Sequence, residues 1–241
     1  MSAIGVIRSN MSKRVRLILL NYSPNTYFSL FRRNKNNTIV FDRDFLSILS
    51  NIIRDGTACQ TVEEYYTLYR LAINAEKIEG SFAELGVYRG GGAKVLCESK
   101  GDRHLFLFDT FEGMPPTNPQ IDTVLPGTFQ TSLKSVCNYL SAYPNIHFCE
   151  GFFPDSIFRC PEAFDQRFAL VHLDGDLYET TRSGLEFFYS RMSPGGLMIA
   201  HDYRSISCPG VKKAFDEFFV DKPEVIIETQ HTQCIIVKKA E

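Results

Sequence analysis

No Cys-x-x-C pair and no long apolar run occurs in this 241-residue sequence, and its formal net charge is only −2. Each absence excludes something. A membrane-crossing helix needs about 18 consecutive apolar residues, so no transmembrane segment is expected. The longest apolar run near the basic start, Leu17–Leu20, is too short for the core of a secretion signal. The near-balanced charge leaves no basic field for nucleic acid. The seven cysteines, an odd number, lack the paired Cys/His spacing of a structural zinc site. Several of them, such as Cys149 and Cys234, sit in apolar runs. They read as buried, reduced thiols of a protein of the reducing cytosol. Gly-x-Gly-x-x-Gly and a phosphate loop ending Gly-Lys-Ser/Thr are both missing, which argues against the commonest dinucleotide and nucleoside-triphosphate signatures. What is present is a hydrophobic content of 44%, too high for a disordered chain and sufficient for a sizeable core.

The charge is unevenly placed. Residues 1–41 hold seven Lys/Arg and no Asp or Glu. They read as a basic arm, weakly helical near 11–20, either a solvated tail or a contact for an anionic membrane surface or a partner subunit. Residues 42–80 read as a helical cap. Phe45, Leu46, Ile48, Leu49, Ile52 and Ile53 recur at helical spacing up to the break at Asp55-Gly56. Thr61-Val-Glu-Glu64 is a capping-box pattern that opens a second helix over 61–77. From residue 81 strands and helices alternate. Strands are expected at 81–87, 104–108, 145–149, 168–173, 196–200, 224–228 and 233–237, and helices at 91–99, 130–142, 179–191 and 209–220. A long Pro-containing loop spans 110–128. Alternation of this kind means an α/β sheet with buried, mainly parallel strands over residues 81–241.

Chemistry collects where these strands end. The first leads into Glu84-Leu-Gly86-Val-Tyr88-Arg-Gly90-Gly91-Gly92. A glycine cluster between strand and helix lets backbone approach a ligand, and the helix start offers N–H groups to an anion. The second strand ends in Asp109, placed to accept hydrogen bonds from ribose hydroxyls. A nucleoside-containing ligand over the carboxyl edge of the sheet follows from these two together. The fourth strand ends in Asp174-Gly-Asp176 and the fifth in His201-Asp202. Converging, they form a hard-oxygen cluster beside an imidazole, suited to Mg²⁺ or Mn²⁺ more than to a thiolate-seeking metal. Asp176 has a second reading, as the cap of the helix at 179–191.

Five segments, Glu84-Leu-Gly-Val-Tyr-Arg-Gly-Gly, Asp109-Thr-Phe-Glu-Gly-Met-Pro, Glu150-Gly-Phe-Phe-Pro-Asp, His172-Leu-Asp-Gly-Asp-Leu-Tyr-Glu and His201-Asp-Tyr, resemble the macrocin O-methyltransferase family, in order, over about residues 60–238. The resemblance implies a class I S-adenosylmethionine-dependent enzyme that methylates a sugar hydroxyl. It implies a Rossmann-like, seven-stranded, mainly parallel sheet with its last strand antiparallel, and Mg²⁺ as a further cofactor. On that basis Glu84, Gly86, Tyr88 and the amides of Gly90, Gly91 and Gly92 are expected to hold the methionine part of the donor. Asp109 and Thr110 face its ribose, Phe111 flanks the adenine, and Glu150 and Gly151 edge the adenine pocket. Asp174 and Asp202 are the expected metal ligands, with Asp176 and His201 as further ones, and Asp174 or His201 is the catalytic base. One departure stands out: the family's fifth strand often ends Asp-Asp-Tyr, whereas this chain has His201-Asp202-Tyr203. Imidazole in place of the first carboxylate weakens Mg²⁺, recruits another metal or frees His201 as a base.

The expected partners are a small hydroxyl acceptor, a sugar or glycoside, and a second copy of the chain. The helices of residues 42–77 are expected to form a lid near the dimer contact, with Tyr65, Tyr66, Tyr69 and Arg70 meeting substrate or donor. The rival readings are a metal-independent methyltransferase using His201 as base, a nicotinamide-dependent oxidoreductase on the same sheet, and a non-catalytic donor-binding protein.

Overall fold

A computed structural model describes residues 41–240. The basic arm and its weak helix fall outside these, apart from Phe41. The described residues divide into two compact units, the first ending at Val62 and the second beginning at Glu63.

In the first, α1 (Arg43–Asp55) buries Phe45, Leu46, Ile48, Leu49 and Ile52 along one face, as the periodicity requires. It stops where expected: Gly56, at φ 74°, donates its N–H back to the carbonyls of the last turn.

The second unit opens with the body of α2 (Val62–Asn74), which runs into a 3₁₀ turn at Ala75–Lys77. The sheet follows: β1 (Ser81–Leu85), β2 (Leu105–Asp109), β3 (Ile146–Glu150), β4 (Phe168–Leu173), β5 (Met192–Ala200), β6 (Ile227–Glu228) and β7 (Cys234–Val237). Between them lie α3 (Gly91–Ser99), α4 (Leu133–Tyr139), α5 (Tyr178–Tyr189) and α6 (Pro209–Phe219). The strand order is β3-β2-β1-β4-β5-β7-β6. β1 to β5 pair in parallel, and β7 runs antiparallel to both β5 and β6. The seven-stranded Rossmann-like sheet with an antiparallel last strand is therefore as expected. β1 and β4 are buried along their whole length, which is why they read as continuous apolar runs rather than alternating ones. Phe108, Phe153, Phe168, Phe187 and Phe188 interlock under the sheet, mostly edge to face. Among the described residues, no helix is long and apolar enough to cross a membrane.

Three differences are informative. β5 starts at Met192, four residues earlier than expected, and runs through Pro194 and two glycines. Residues 151–167, which carry no periodic pattern, form two 3₁₀ turns, Asp155–Arg159 and Pro161–Asp165. Those turns fold the chain back on β3, and Cys149 and Cys160 come to a Cα separation of 5.6 Å and form a disulfide. This corrects the expectation of seven reduced thiols; of the free cysteines, Cys97, Cys208 and Cys234 are buried.

Because strand order reverses between β1 and β4, a crevice opens outside their carboxyl ends. The register decides what faces it. Leu85 pairs with Phe108 and with Leu173, Leu173 with Ala200, and Asp109 with Glu150. The next residue of each inner strand therefore falls into one row across the edge: Glu150, Asp109, Gly86, Asp174, His201. Backbone bonds continue the ladder through that row, Gly86 N–H to Phe108 O (2.9 Å), Asp174 N–H to Leu85 O (2.7 Å) and His201 N–H to Leu173 O (2.8 Å).

Candidate active site

The turn after β1 is packed too tightly for side chains. At Gly86, φ is 91° and an added Cβ would lie 2.0 Å from the Asp174 carbonyl oxygen. A second glycine, Gly92, has its would-be Cβ 2.1 Å from Glu84 Oε1, so the first turn of α3 rests on the Glu84 carboxyl. The opening amides of α3 have no carbonyl one turn earlier to bond and lie at the positive end of the helix, beside the β1 turn.

Glu84 lies beneath this turn rather than at its mouth. It is 1% exposed, and Oε1 meets His172 Nδ1 at 2.8 Å across the β1–β4 pairing. Burial pushes its carboxyl up to about 7 against the pull of His172. Its influence on the site therefore passes through the turn it supports.

Asp109, expected at the ribose, is held by backbone amides. Oδ2 accepts the N–H groups of Val87 (2.7 Å) and Tyr88 (2.8 Å), and Oδ1 accepts that of Phe111 (2.7 Å). A carboxylate has about four acceptor directions, and three of them here tie the β1 turn to the β2 turn. Thr110 staples the following loop, its hydroxyl donating to Gly113 O (2.8 Å) and accepting the Glu112 N–H (3.2 Å). Phe111, expected against adenine, is 2% exposed and packs into the protein. Tyr88 lies edge-on to Phe129 and under Arg89. Glu150 pairs loosely with Arg159 at 3.8 Å, and Gly151 donates to Asp109 O.

Positive φ among non-glycine residues concentrates here: Tyr88 (48°), Phe111 (55°), Asp176 (59°) and Asp202 (61°) all sit at strand tips. Asp tolerates this conformation, but Tyr and Phe do so at a cost of about 1–3 kcal/mol each. Such strain is kept where a backbone must be aimed.

The acidic cluster assembles as the spacing indicates, with one exception. Ligand atoms of Asp174, His201 and Asp202 lie within 4.8 Å of one another. His201 Nδ1 is 3.0 Å from Asp174 Oδ1 and 2.7 Å from Asp202 Oδ2. Asp176 is not in that trio; it groups with Asp202 and Cys208. Burial, with Asp174 and Asp202 close by, drives its carboxyl well above the usual range. Nor does it cap α5. Asp122, from the 110–128 loop, accepts the Tyr178 N–H at 2.9 Å, and Thr123 donates to Ser207 O at 2.6 Å. The loop is thereby latched across the tips of β4 and β5.

Glu64, read from sequence only as part of a capping box, is the residue that reasoning missed. It is buried on α2, and Oε2 lies 3.4 Å from His201 Nε2. Burial alone would lower the His201 pKa, but Asp174, Asp202 and Glu64 around it outweigh that and raise it. The ring thus lies among three carboxylates, its Nδ1 toward Asp174 and Asp202 and its Nε2 toward Glu64. Of the α2 side chains expected to face substrate or donor, Tyr65 and Tyr69 are buried, Tyr66 is half-buried and Arg70 is exposed.

Residues 67–228 match the family model of the macrocin-O-methyltransferases (TylF). Over 151 residues the chain is 32% identical to an 8-demethyl-8-(2,3-dimethoxy-alpha-L-rhamnosyl)-tetracenomycin-C 4'-O-methyltransferase of Streptomyces olivaceus, covering 56% of this chain and 57% of that protein. It therefore spans little more than half the length of that relative. A mycinamicin III 3''-O-methyltransferase of Micromonospora griseorubida is 25% identical over 237 residues, 81% of this chain and 90% of that one. Among solved structures, the O-methyltransferase NovP superposes with a TM-score of 0.62 at 23% identity, covering 74% of this chain and 81% of that one, which establishes a shared fold.

Proposed function

The chain belongs to the macrocin-O-methyltransferase family, and from that premise we propose that it is an S-adenosylmethionine-dependent O-methyltransferase acting on a hydroxyl of a sugar or glycosylated natural product, with a divalent cation held by Asp174, His201 and Asp202. The observation that carries the reading is the single row at the sheet's carboxyl edge. It sets a glycine turn and helix N-terminus, suited to the donor's amino-acid end, directly beside two carboxylates and an imidazole whose ligand atoms lie within 4.8 Å. The donor set fits a divalent ion: two oxygens and one nitrogen converge without rearrangement of the backbone.

When bound, the donor supplies an electrophilic methyl group, and the cation a Lewis acid that lowers the acceptor hydroxyl's pKa. The protein supplies position. Asp109 fixes the β1 turn against the β2 turn, Glu84 supports the first turn of α3, and Asp122 holds the 110–128 loop across the tips of β4 and β5, so that the two reactants meet in line. Asp174, at 21% side-chain exposure the most open of the trio, is the base for the acceptor proton. His201 is unsuited to that task, because both ring nitrogens already face carboxylates. The relatives' names, which specify rhamnosyl and mycinamicin acceptors, support a glycoside as substrate. The same reading has the enzyme working in the cytoplasm as a homodimer.

The test is incubation with methyl-labelled donor and a panel of deoxysugar glycosides, with and without chelator, read by mass spectrometry. A gain of one methyl group, abolished by chelation and restored by added ion, is the expected result. Calorimetric binding of NAD with no binding of S-adenosylhomocysteine would overturn the reading in favour of an oxidoreductase.

A further inference from the structure

The imidazole of His201 spans the site like a bar. One end, Nδ1, lies between Asp174 Oδ1 (3.0 Å) and Asp202 Oδ2 (2.7 Å). The other, Nε2, is buried and has no closed hydrogen bond, and it faces Glu64 Oε2 at 3.4 Å. Glu64 is not placed there casually. Its side chain is 4% exposed, Oε1 accepts the Thr232 hydroxyl at 2.6 Å, and its carbonyl accepts Gln233 Nε2 at 3.3 Å. A buried carboxylate, anchored on the far side of a histidine whose near nitrogen points between two aspartates, is the arrangement that orients metal-binding histidines. It keeps the proton on the far nitrogen, aims the near lone pair at the ion and raises the ring's basicity.

We propose that His201 is a nitrogen ligand positioned by Glu64, and that the site selects a first-row transition ion such as Mn²⁺ over Mg²⁺. The proposal rests on the reading of Asp174, His201 and Asp202 as a cation site and adds which ion they choose. Mg²⁺ demands oxygen donors in strict octahedral geometry and retains its water. Exchanging a carboxylate for imidazole removes one negative charge and one hard oxygen and adds a donor that favours Mn²⁺, Fe²⁺, Co²⁺ and Zn²⁺ in rising order. Glu64 acts through His201 and is a positioning residue.

The test uses the full-length protein stripped of metal. Mn²⁺ binding is followed by loss of the free-ion electron paramagnetic resonance signal, Mg²⁺ by competition, and Co²⁺ by its visible absorption. Mn²⁺ is expected to bind on the order of tenfold or more tighter than Mg²⁺. Glu64→Gln, which keeps the shape and an oxygen for Thr232, should weaken Mn²⁺ about 10–100-fold. His201→Asp, which restores an all-oxygen set, should collapse the Mn²⁺/Mg²⁺ preference and shift the Co²⁺ spectrum. Circular dichroism confirms that each variant is folded; if Glu64→Gln is not, His201→Asp carries the test alone. Equal affinity of the wild type for the two ions, or a preference unchanged in His201→Asp, overturns the selectivity. Unchanged Mn²⁺ affinity in folded Glu64→Gln overturns the role of Glu64. Binding of neither ion sinks the cation site itself, while calorimetry with S-adenosylhomocysteine reports separately on the methyltransferase reading.

Discussion

Asp109→Asn separates two jobs that one carboxylate could hold, and the structure sets the size of the effect. Asp109 accepts three backbone N–H groups, from Val87 and Tyr88 on one oxygen and from Phe111 on the other. An asparagine amide has one oxygen and one NH₂. If its oxygen faces Val87 and Tyr88, its NH₂ confronts the Phe111 N–H; flipped, it confronts the other two. At least one bond is lost with its donor left unpaired, and the survivors become neutral rather than charge-assisted. Hydrogen bonds to charged groups contribute about 1.5–3 kcal/mol and neutral ones about 0.5–1.5. The loss is therefore roughly 3–4 kcal/mol at full burial and about 2–3 kcal/mol for this half-buried residue. For a protein of this size that lowers the melting temperature by roughly 5–10 °C. Because the loosened segment is the donor turn, affinity for S-adenosylhomocysteine should fall together with ligand-free stability. The assays are thermal unfolding without ligand and calorimetric titration. If the variant melts like the wild type yet loses donor affinity tenfold or more, the carboxylate is a ligand contact and the latch argument fails.

Glu84, whose carboxyl is raised to about 7 against an ordinary 4.5 by burial, makes stability depend on pH in a definite direction. The folded state holds the extra proton, so this stabilisation is full below about pH 4.5 and is lost as pH rises through 7, by on the order of 3 kcal/mol in all. Glu84→Gln, a mimic of the protonated form, should therefore gain stability relative to wild type between pH 5 and pH 8 in denaturant titrations, and a constant difference across that range contradicts the assignment. Asp122→Ala removes the acceptor for the Tyr178 N–H at the start of α5 and should cost about 1–2 kcal/mol; limited proteolysis should speed up within 110–128, and an unchanged cleavage rate there shows that the loop is held by something else. Gly86→Ala forces a Cβ to within 2.0 Å of the Asp174 carbonyl oxygen, a backbone atom that cannot swing aside, so donor and metal binding should be lost together, and retention of both means that the two strand tips do not depend on each other.

The parts of this fold that were legible in the sequence are those whose signal is local. β1 and β4 read as buried parallel strands because both faces are covered and the apolar run is unbroken. α1 ended at Asp55-Gly56 because a residue in the left-handed region was needed there. The strand-tip acids and glycines were legible as a group because a parallel sheet delivers all its carboxyl ends to one edge, whatever the intervening loops do. By contrast, residues 151–167 hold two short 3₁₀ turns, too brief to leave a periodicity. With the path of that segment unknown, the meeting of Cys149 with Cys160 was invisible, and buried thiols were the natural reading.

Within the site, residue type was legible and partner was not. Asp109 stood at the position of an acid that could bind ribose, yet its nearest donors are backbone amides, which every residue carries and no sequence pattern marks. Asp176 sat one residue too early to cap α5, and the cap arrived from Asp122, 56 residues back along the chain. Glu64 is the sharpest case. Its local context, Thr61-Val-Glu-Glu64, satisfies a helix-start motif completely, so nothing remained to signal a second task. That task depends on Thr232, 168 positions away, and on the fifth strand ending in His201. The His201 departure was visible in sequence but ambiguous, since an imidazole beside two aspartates can be a base, a ligand or a counter-ion. What narrows it is the far side of the ring. A base needs an open nitrogen toward the acceptor, and here one nitrogen faces Asp174 and Asp202 and the other Glu64. The surroundings of the fifth strand's tip thus include a helix more than a hundred residues earlier, which a family pattern that compares strand tips alone would miss.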